Sequence, residues 1–302
     1  MDASTVLAAG PSSRWARTMR SNPILAIGTV FVAISLILMV IGPAIAPYPP
    51  ERATSHVSQP PPDLDEIPEL LLASLTANRA EPVHWFGTDA AGLDVFSRVL
   101  AAPRTDVMIA LMANLGSLVL GTLLGLIAGF YRGWGTELLM RVSDLVQSFP
   151  VLISGMILVA LAGRTTGNIV LALGLLYTPI YLRLARAEVL AQRGRLYVEA
   201  ARALGNREFA IALRHVLPNA VAPSLIQASV TIGFAILATA GLSFVGAGVR
   251  PPTPELGLMI ATGADQMVQG DWWPSLFPGI AISLIVFGYA ALGNGLERLY
   301  GR

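Results

Sequence analysis

Few residues in this 302-residue chain have chemical reach, and they are unevenly placed. The three histidines, His56, His84 and His215, are scattered, and neither H-E-x-x-H nor G-x-S-x-G occurs, so the zinc-hydrolase and serine-nucleophile patterns are absent. Without cysteine there is no thiolate nucleophile, no disulfide framework and no Cys-based metal site. All twenty basic residues are Arg. A Walker A loop needs a Lys to reach nucleotide phosphates, so any ATP hydrolysis must belong to another chain. What remains is a polar, Arg-rich island from Tyr197 to Asn219, Y-V-E-A-A-R-A-L-G-N-R-E-F-A-I-A-L-R-H-V-L-P-N.

The island predicts two short helices. Leu196 to Leu204 is Ala-rich and helix-favouring, and Gly205 supplies the left-handed residue that closes it. Asn206 is the expected N-cap of the second helix, in which Phe209, Leu213, Val216 and Leu217 fall on one apolar face. Pro218 is expected to stop that helix and to begin the next one. The product is an elbow with small residues (Ala200, Ala201, Ala203, Ala210, Ala212) that leave room for close approach; the plainer alternative is a folded connector.

The elements that would hold the elbow are apolar. The chain is 54% hydrophobic and 13% charged, with a mean hydropathy of +0.63, too little charge to cover a soluble domain. Six segments are long and apolar enough to span a bilayer: Pro23–Ile45, Val107–Phe130, Leu145–Ala162, Ile169–Leu184, Ala220–Val249 and Leu276–Leu296. Gly121, Gly125 and Gly129 at four-residue spacing are built for close helix pairing, and Pro179 is expected to kink its span. The fold expected is an all-α polytopic membrane bundle of six spans. Its divisions are a tail at 1–23, a first span at 24–46, an external loop at 47–104 and a core at 105–302 with the elbow helices at 192–217. The tail carries Arg14, Arg17 and Arg20, which suit either an interfacial helix or a basic tail. A signal peptide is disfavoured by the length of the first apolar run and by Pro47 after Ala44-Ile45-Ala46.

Charge fixes the expected orientation. Arg183–Leu217 holds seven Arg against three Glu, whereas Pro47–Arg104 holds eight acids against four Arg. Positive charge collects on the cytoplasmic side, so both termini and the elbow are expected there. Leu64 to Leu75 is expected to form a short amphipathic helix in the external loop, which is Pro-rich at its start.

These residues resemble a known family. Glu199-Ala200-Ala201, Gly205 and Leu217-Pro218 are spaced like the EAA motif of the membrane subunits of bacterial type I ABC importers. His215-Val216-Leu217-Pro218-Asn219 is similar to the form in the dipeptide, oligopeptide and nickel branch. So are F-G-T-D-A-A-G-L-D-V-F-S-R-V-L (86–100), R-A-E-V-L (186–190), G-L-S-F-V-G-A-G-V (241–249), P-P-T-P-E (251–255) and F-P-G-I-A-I (277–282). The set resembles the C-type permease of a heterodimer. Leu93, Leu256 and Asn294 depart from the family pattern, and 60–80 is longer than is usual.

The resemblance implies a second, B-type permease subunit, two ATP-binding subunits that keep ATP and Mg to themselves, and an extracytoplasmic substrate-binding protein, all in the bacterial cytoplasmic (inner) membrane. This chain would bind no cofactor, metal or nucleic acid and would catalyse nothing. Its elbow would be the coupling element, with Glu199, Ala200, Ala201, Arg202, Gly205, Asn206, His215, Leu217 and Pro218 as its working residues. Tyr177, Phe234 and Ser243 are expected beside the substrate pathway. Two rivals stand. A secondary transporter would carry acids inside its spans, whereas Asp106, Glu137 and Asp144 are read here at span ends and Asp265 and Asp271 in a loop. A purely structural subunit would need no contact with substrate.

Overall fold

The structure is a computed structural model and describes residues 22–75 and 82–300. The basic residues Arg14, Arg17 and Arg20 and the C-terminal Arg302 lie outside that range. The described chain is helical: α1 (Pro23–Ile45), α2 (Ile67–Leu75), α3 (Val95–Phe130), α4 (Trp134–Gln147), α5 (Val151–Ala162), α6 (Thr166–Gln192), α7 (Leu196–Ala203) and α8 (Glu208–Ile211). A π-helical turn over Ala212–Val216 follows, then α9 (Leu217–Ala220), α10 (Ala222–Phe244), α11 (Leu256–Met267) and α12 (Trp273–Tyr300). Among the described residues the only β pairing is an isolated bridge between Thr88 and Asp94.

Five helices, α1, α3, α6, α10 and α12, are each long and apolar enough to cross a membrane. Leu145–Ala162, expected as one span with Pro150 inside it, comprises the end of α4 and all of α5, a pair bent by 95°. Pro150 explains the break, since it donates no hydrogen bond and forces Phe149 away from helical geometry. Only when its two pieces are taken as one is the pair long and apolar enough to count as a sixth span. Gly121 lies against Thr178 and Tyr181, Gly125 against Leu182 and Ala185, and Gly129 against Val189, so α3 and α6 run parallel. A parallel neighbour requires the intervening chain to return, and Arg164 Nε duly donates to Gly248 O at the end from which both helices start.

The remaining contacts order the bundle. Gly28 meets Leu292 and Gly295 meets Leu25, so α1 and α12 are antiparallel. The start of α1, the end of α12 and the segment α7–α9 therefore share one end of the bundle. The other end is covered by residues 46–75 and 82–94 and by α11. There Trp273 Nε1 donates to Thr88 O at 2.9 Å, Phe86 stacks on Phe277, and Ala90 N donates to Gln266 Oε1 at 3.0 Å. The buried Arg98 donates through Nη1 to Pro50 O and Pro252 O. The motif stretches 86–100, 251–255 and 277–282 thus meet at this end. The Leu64–Leu75 expectation is met by α2, shortened to Ile67–Leu75.

One boundary shifts with consequences. The second span was expected to start at Val107, but α3 starts at Val95, capped by Asp94 Oδ2 accepting from Ser97 N at 2.8 Å. Pro103 is carried inside the helix. Asp106 therefore does not start the helix. It stands about three turns inside α3 and is 1% exposed.

With lipid rather than water around the spans, helix association rests on close packing, and α3 and α6 approach through the glycine stripe. A Cβ at Gly125 would stand 2.6 Å from Leu182 O and 2.7 Å from the Cβ of Ala185. Gly125→Val is predicted to cost about 1–3 kcal/mol by overpacking, read as a lower unfolding temperature of the detergent-solubilised protein. Gly116→Ala, on the same helix with no atom within 4 Å of the new methyl, is predicted to leave that temperature unchanged.

Candidate functional site

The elbow is assembled on the shared end of α3 and α6. Arg193 Nη1 donates to Gly129 O at 3.1 Å and to Phe130 O at 3.2 Å, satisfying the last carbonyls of α3 with a cation. Beneath it lies a separate apolar cluster in which Leu126, Phe130 and Val189 of the spans pack with Val198, Ala201, Ile211, Ala212, Val216 and Ala220 of the elbow. Val198, Ile211 and Val216 are fully buried, and side chains of this size contribute about 1.5–3 kcal/mol each when buried from water. The elbow is docked on the bundle by its own inner face.

Its corner is a helix stop made by the backbone. Gly205 has φ +79°, its N–H donates to Arg202 O at 3.0 Å, and the N–H of Asn206 reaches back to Ala201 O at 3.3 Å. That pair of reversed bonds is the Schellman ending of α7. Asn206, expected to cap the second helix, caps the first instead: its Nδ2 donates to Ala201 O at 2.9 Å. The second helix starts from Arg207 without a side-chain cap. Across the corner Arg202 pairs with Glu208, Nε to Oε1 at 2.5 Å and Nη2 to Oε2 at 3.0 Å. The hydrogen bonds from Arg202 hold the Glu208 carboxyl below its usual range, and the same bonds raise the Arg202 guanidinium.

Pro218 does not stop the chain's helical course. Ahead of it the ladder widens, Leu217 N donating to Ala212 O five residues back. Such a π turn accommodates a residue that lacks an N–H and would crowd the preceding carbonyls. Asn219 Nδ2 then donates to His215 O at 2.7 Å. The winding passes through α9 into α10 with Pro223 in its first turn.

The outward face is what sequence periodicity misjudged. Phe209 was expected inward with Leu213, Val216 and Leu217, yet it is 65% exposed, while Leu196 and Leu204 are 81% and 83% exposed. Glu199, Ala200, Arg202 and His215 are exposed beside them, and Ala201 is turned into the bundle. Three large apolar side chains thus stand out from an elbow whose own core is already filled. The π turn follows Phe209 and shifts its phase against Val216 and Leu217, whereas Leu196 and Leu204 stand at the two ends of α7.

Of the three pathway expectations, two are brought together. Tyr177 on α6, 5% exposed, donates its hydroxyl to Phe234 O on α10 at 3.1 Å, and the Phe234 ring is 56% exposed. Ser243 lies apart and is 2% exposed; its Oγ accepts from Val249 N at 3.3 Å in the turn that follows α10. Among the described residues no group of three or more His, Cys, Asp or Glu is arranged to hold a metal ion.

Comparison with known proteins joins this geometry to a family. Residues 121–301, which include α6, the elbow, α10 and α11, match the model of the binding-protein-dependent transport system inner membrane component. The chain is 38% identical to a dipeptide transport system permease protein of Alkalihalophilus pseudofirmus over 71% of its own length and 70% of the relative's. It is 32% identical to a probable D,D-dipeptide transport system permease protein of Escherichia coli over 93% and 88% of the two chains. It is 33% identical to a glutathione transport system permease protein of Escherichia coli over 94% and 87%. This multi-pass chain accordingly belongs to the binding-protein-dependent transport system inner membrane component family, as a non-catalytic permease subunit of a type I ABC importer.

Proposed function

We propose that the segment 196–220 is the coupling element of this importer, seated on a separate ATP-hydrolysing subunit that holds ATP and Mg. The chain forms half of a translocation pathway for short peptides or a related small solute. The observation that carries the reading is the outward set Leu196, Leu204 and Phe209, exposed apolar side chains on an elbow already docked by its other face. Exposed apolar patches of this kind suit a protein seat. The Schellman corner and the Arg202–Glu208 strap make the elbow rigid enough to transmit displacement. Glu199, Ala200 and His215 border the seat; Ala201, Asn206, Leu217 and Pro218 hold its shape.

The other half of the pathway is a second, B-type permease subunit, and solute arrives from an extracytoplasmic binding protein. The elbow and both termini face the cytoplasm, in keeping with the seven Arg of 183–217. Closure of the ATP-binding subunits shifts the permease pair between two states, with the elbows carrying the bias. Peptides are favoured as cargo because relatives carry dipeptide and glutathione transport in their names. Phe234 is the pathway residue placed to touch a passing solute, with Tyr177 fixing its backbone and Ser243 acting behind the wall.

Three outcomes are expected. The chain has no cysteine, so Leu204→Cys in the assembled transporter should crosslink to the ATP-binding subunit, while Ala201→Cys, facing its own bundle, should not. Crosslinks from Leu204→Cys to lipid or to the same chain alone would overturn the assignment. Gly205→Val meets open space but must hold a positive φ, a strain of about 1–2 kcal/mol. It should lower uptake several-fold with normal membrane insertion, and Gly205→Asn should retain most activity. Because Glu208 sits below the ordinary value of 4.5, its strap is present above that value and is lost as pH falls through the lowered one. Hydrogen exchange of residues 202–208 should therefore rise on acidification toward the level that Glu208→Gln shows at every pH.

A further inference from the structure

At the end opposite the elbow two acids face each other out of reach of water. Asp106 of α3 is 1% exposed and Glu255, the N-cap of α11, is 0% exposed. Both Glu255 oxygens are taken by the helix it caps, Oε1 accepting from Gly257 N at 2.9 Å and Oε2 from Leu258 N at 2.6 Å. Asp106 Oδ2 accepts from Leu256 N at 3.2 Å. Its other oxygen, Oδ1, is buried and receives no N–H or O–H from the described residues, and the two carboxyls lie side by side on the successive N–H groups of Leu256, Gly257 and Leu258.

Two carboxylates offer only acceptors to one another, so a hydrogen bond between them requires one to carry a proton. Buried like charges at contact distance also repel strongly unless one is neutral. The cations on the neighbouring elements are engaged elsewhere: the buried Arg98 of α3 donates to Pro50 O and Pro252 O, and the half-buried Arg164 donates to Gly248 O. α10 brings Ser243 beside the site and α11 the N–H groups already named. Arg104 on α3 and Arg250 on the preceding turn are both exposed.

We propose that Asp106 and Glu255 form a site for a single shared proton, and that this proton ties α11 to α3 as a latch at the end opposite the elbow. α11 is otherwise attached to α10 and α12: Gly257 packs on Ala240, and Ser275 Oγ donates to Ile260 O at 3.0 Å. The Leu256 N–H to Asp106 bond and the shared proton are thus the polar links between α11 and α3 among the described residues. Asp106 and Glu255 are positioning residues that touch no solute, and separation of α11 from α3 becomes sensitive to pH on that side of the membrane. The latch stands whether or not the elbow couples to an ATP-binding subunit.

Hydrogen exchange across 256–267 in the intact transporter reconstituted in nanodiscs, followed against pH and corrected for the intrinsic rate, tests it. Difference infrared spectroscopy for a protonated carboxyl is the second readout. Wild type should be protected at neutral pH, lose tenfold or more of that protection at alkaline pH, and show a protonated-carboxyl band that vanishes in step. Asp106→Asn, whose amide donates in place of the acid, should remain protected throughout and lack the band; Asp106→Ala should be unprotected at every pH. The proposal is overturned if Asp106→Asn keeps the wild-type alkaline loss, if wild type shows no protonated-carboxyl band, or if removing Na⁺ at constant pH reproduces the loss, which would put a metal cation between the acids. Should Asp106→Ala fail to fold, the contrast between wild type and Asp106→Asn decides alone.

Discussion

Where α3 and α6 lie side by side, three glycines on one helix let the backbone and β-carbons of the other come within contact distance at Thr178 to Val189. In a bilayer no water is released by such a contact, so its strength is dispersion summed over close-fitting surfaces. The pair runs parallel, and much follows from that direction. The chain between the two helices must return from one end to the other, and the bent α4–α5 pair occupies that stretch although neither piece is long enough to span a membrane alone. The common end of the pair supplies Leu126, Phe130 and Val189 as the floor on which the elbow rests. Its other end offers Asp106 to the cap of α11.

The bundle therefore has two differently built ends joined by one stiff unit. At one, a small apolar cluster and a backbone corner shape a protruding elbow. At the other, loops are tied by polar contacts: Arg98 to two proline carbonyls, Trp273 to Thr88, and Asp106 to the N–H of Leu256. Under the proposed function, a displacement imposed at the elbow would be carried by helices in close contact along the glycine stripe.

Much of this was legible in the chain. Apolar run length gave the spans, the four-residue glycine repeat gave the tight pairing, and Gly205 gave the corner. The misreadings have common physical causes. Pro150 and Pro218 look alike in sequence, yet one ends a helix and the other is absorbed by a π turn, because only tertiary packing decides whether the ladder breaks or widens. Asn206 is a good cap for either neighbour, and the Ala201 carbonyl won it. Phe209 was placed inward by a periodicity that assumed uninterrupted α geometry. The second span was begun at Val107 by counting apolar residues, since hydropathy does not register that Asp94 starts the helix about three turns earlier or that Glu255 lies at the start of α11.

The π turn between α8 and α9 has one more effect. Widening the ladder over Ala212–Val216 stores roughly one extra residue in the path from elbow to α10, and one residue is about 100° of rotation around a helix axis. The azimuth of the elbow's protruding face is thus set against that of α10 by an offset written into five residues. Evolution could re-aim that face with a single insertion or deletion there, leaving every helix of the bundle where it stands.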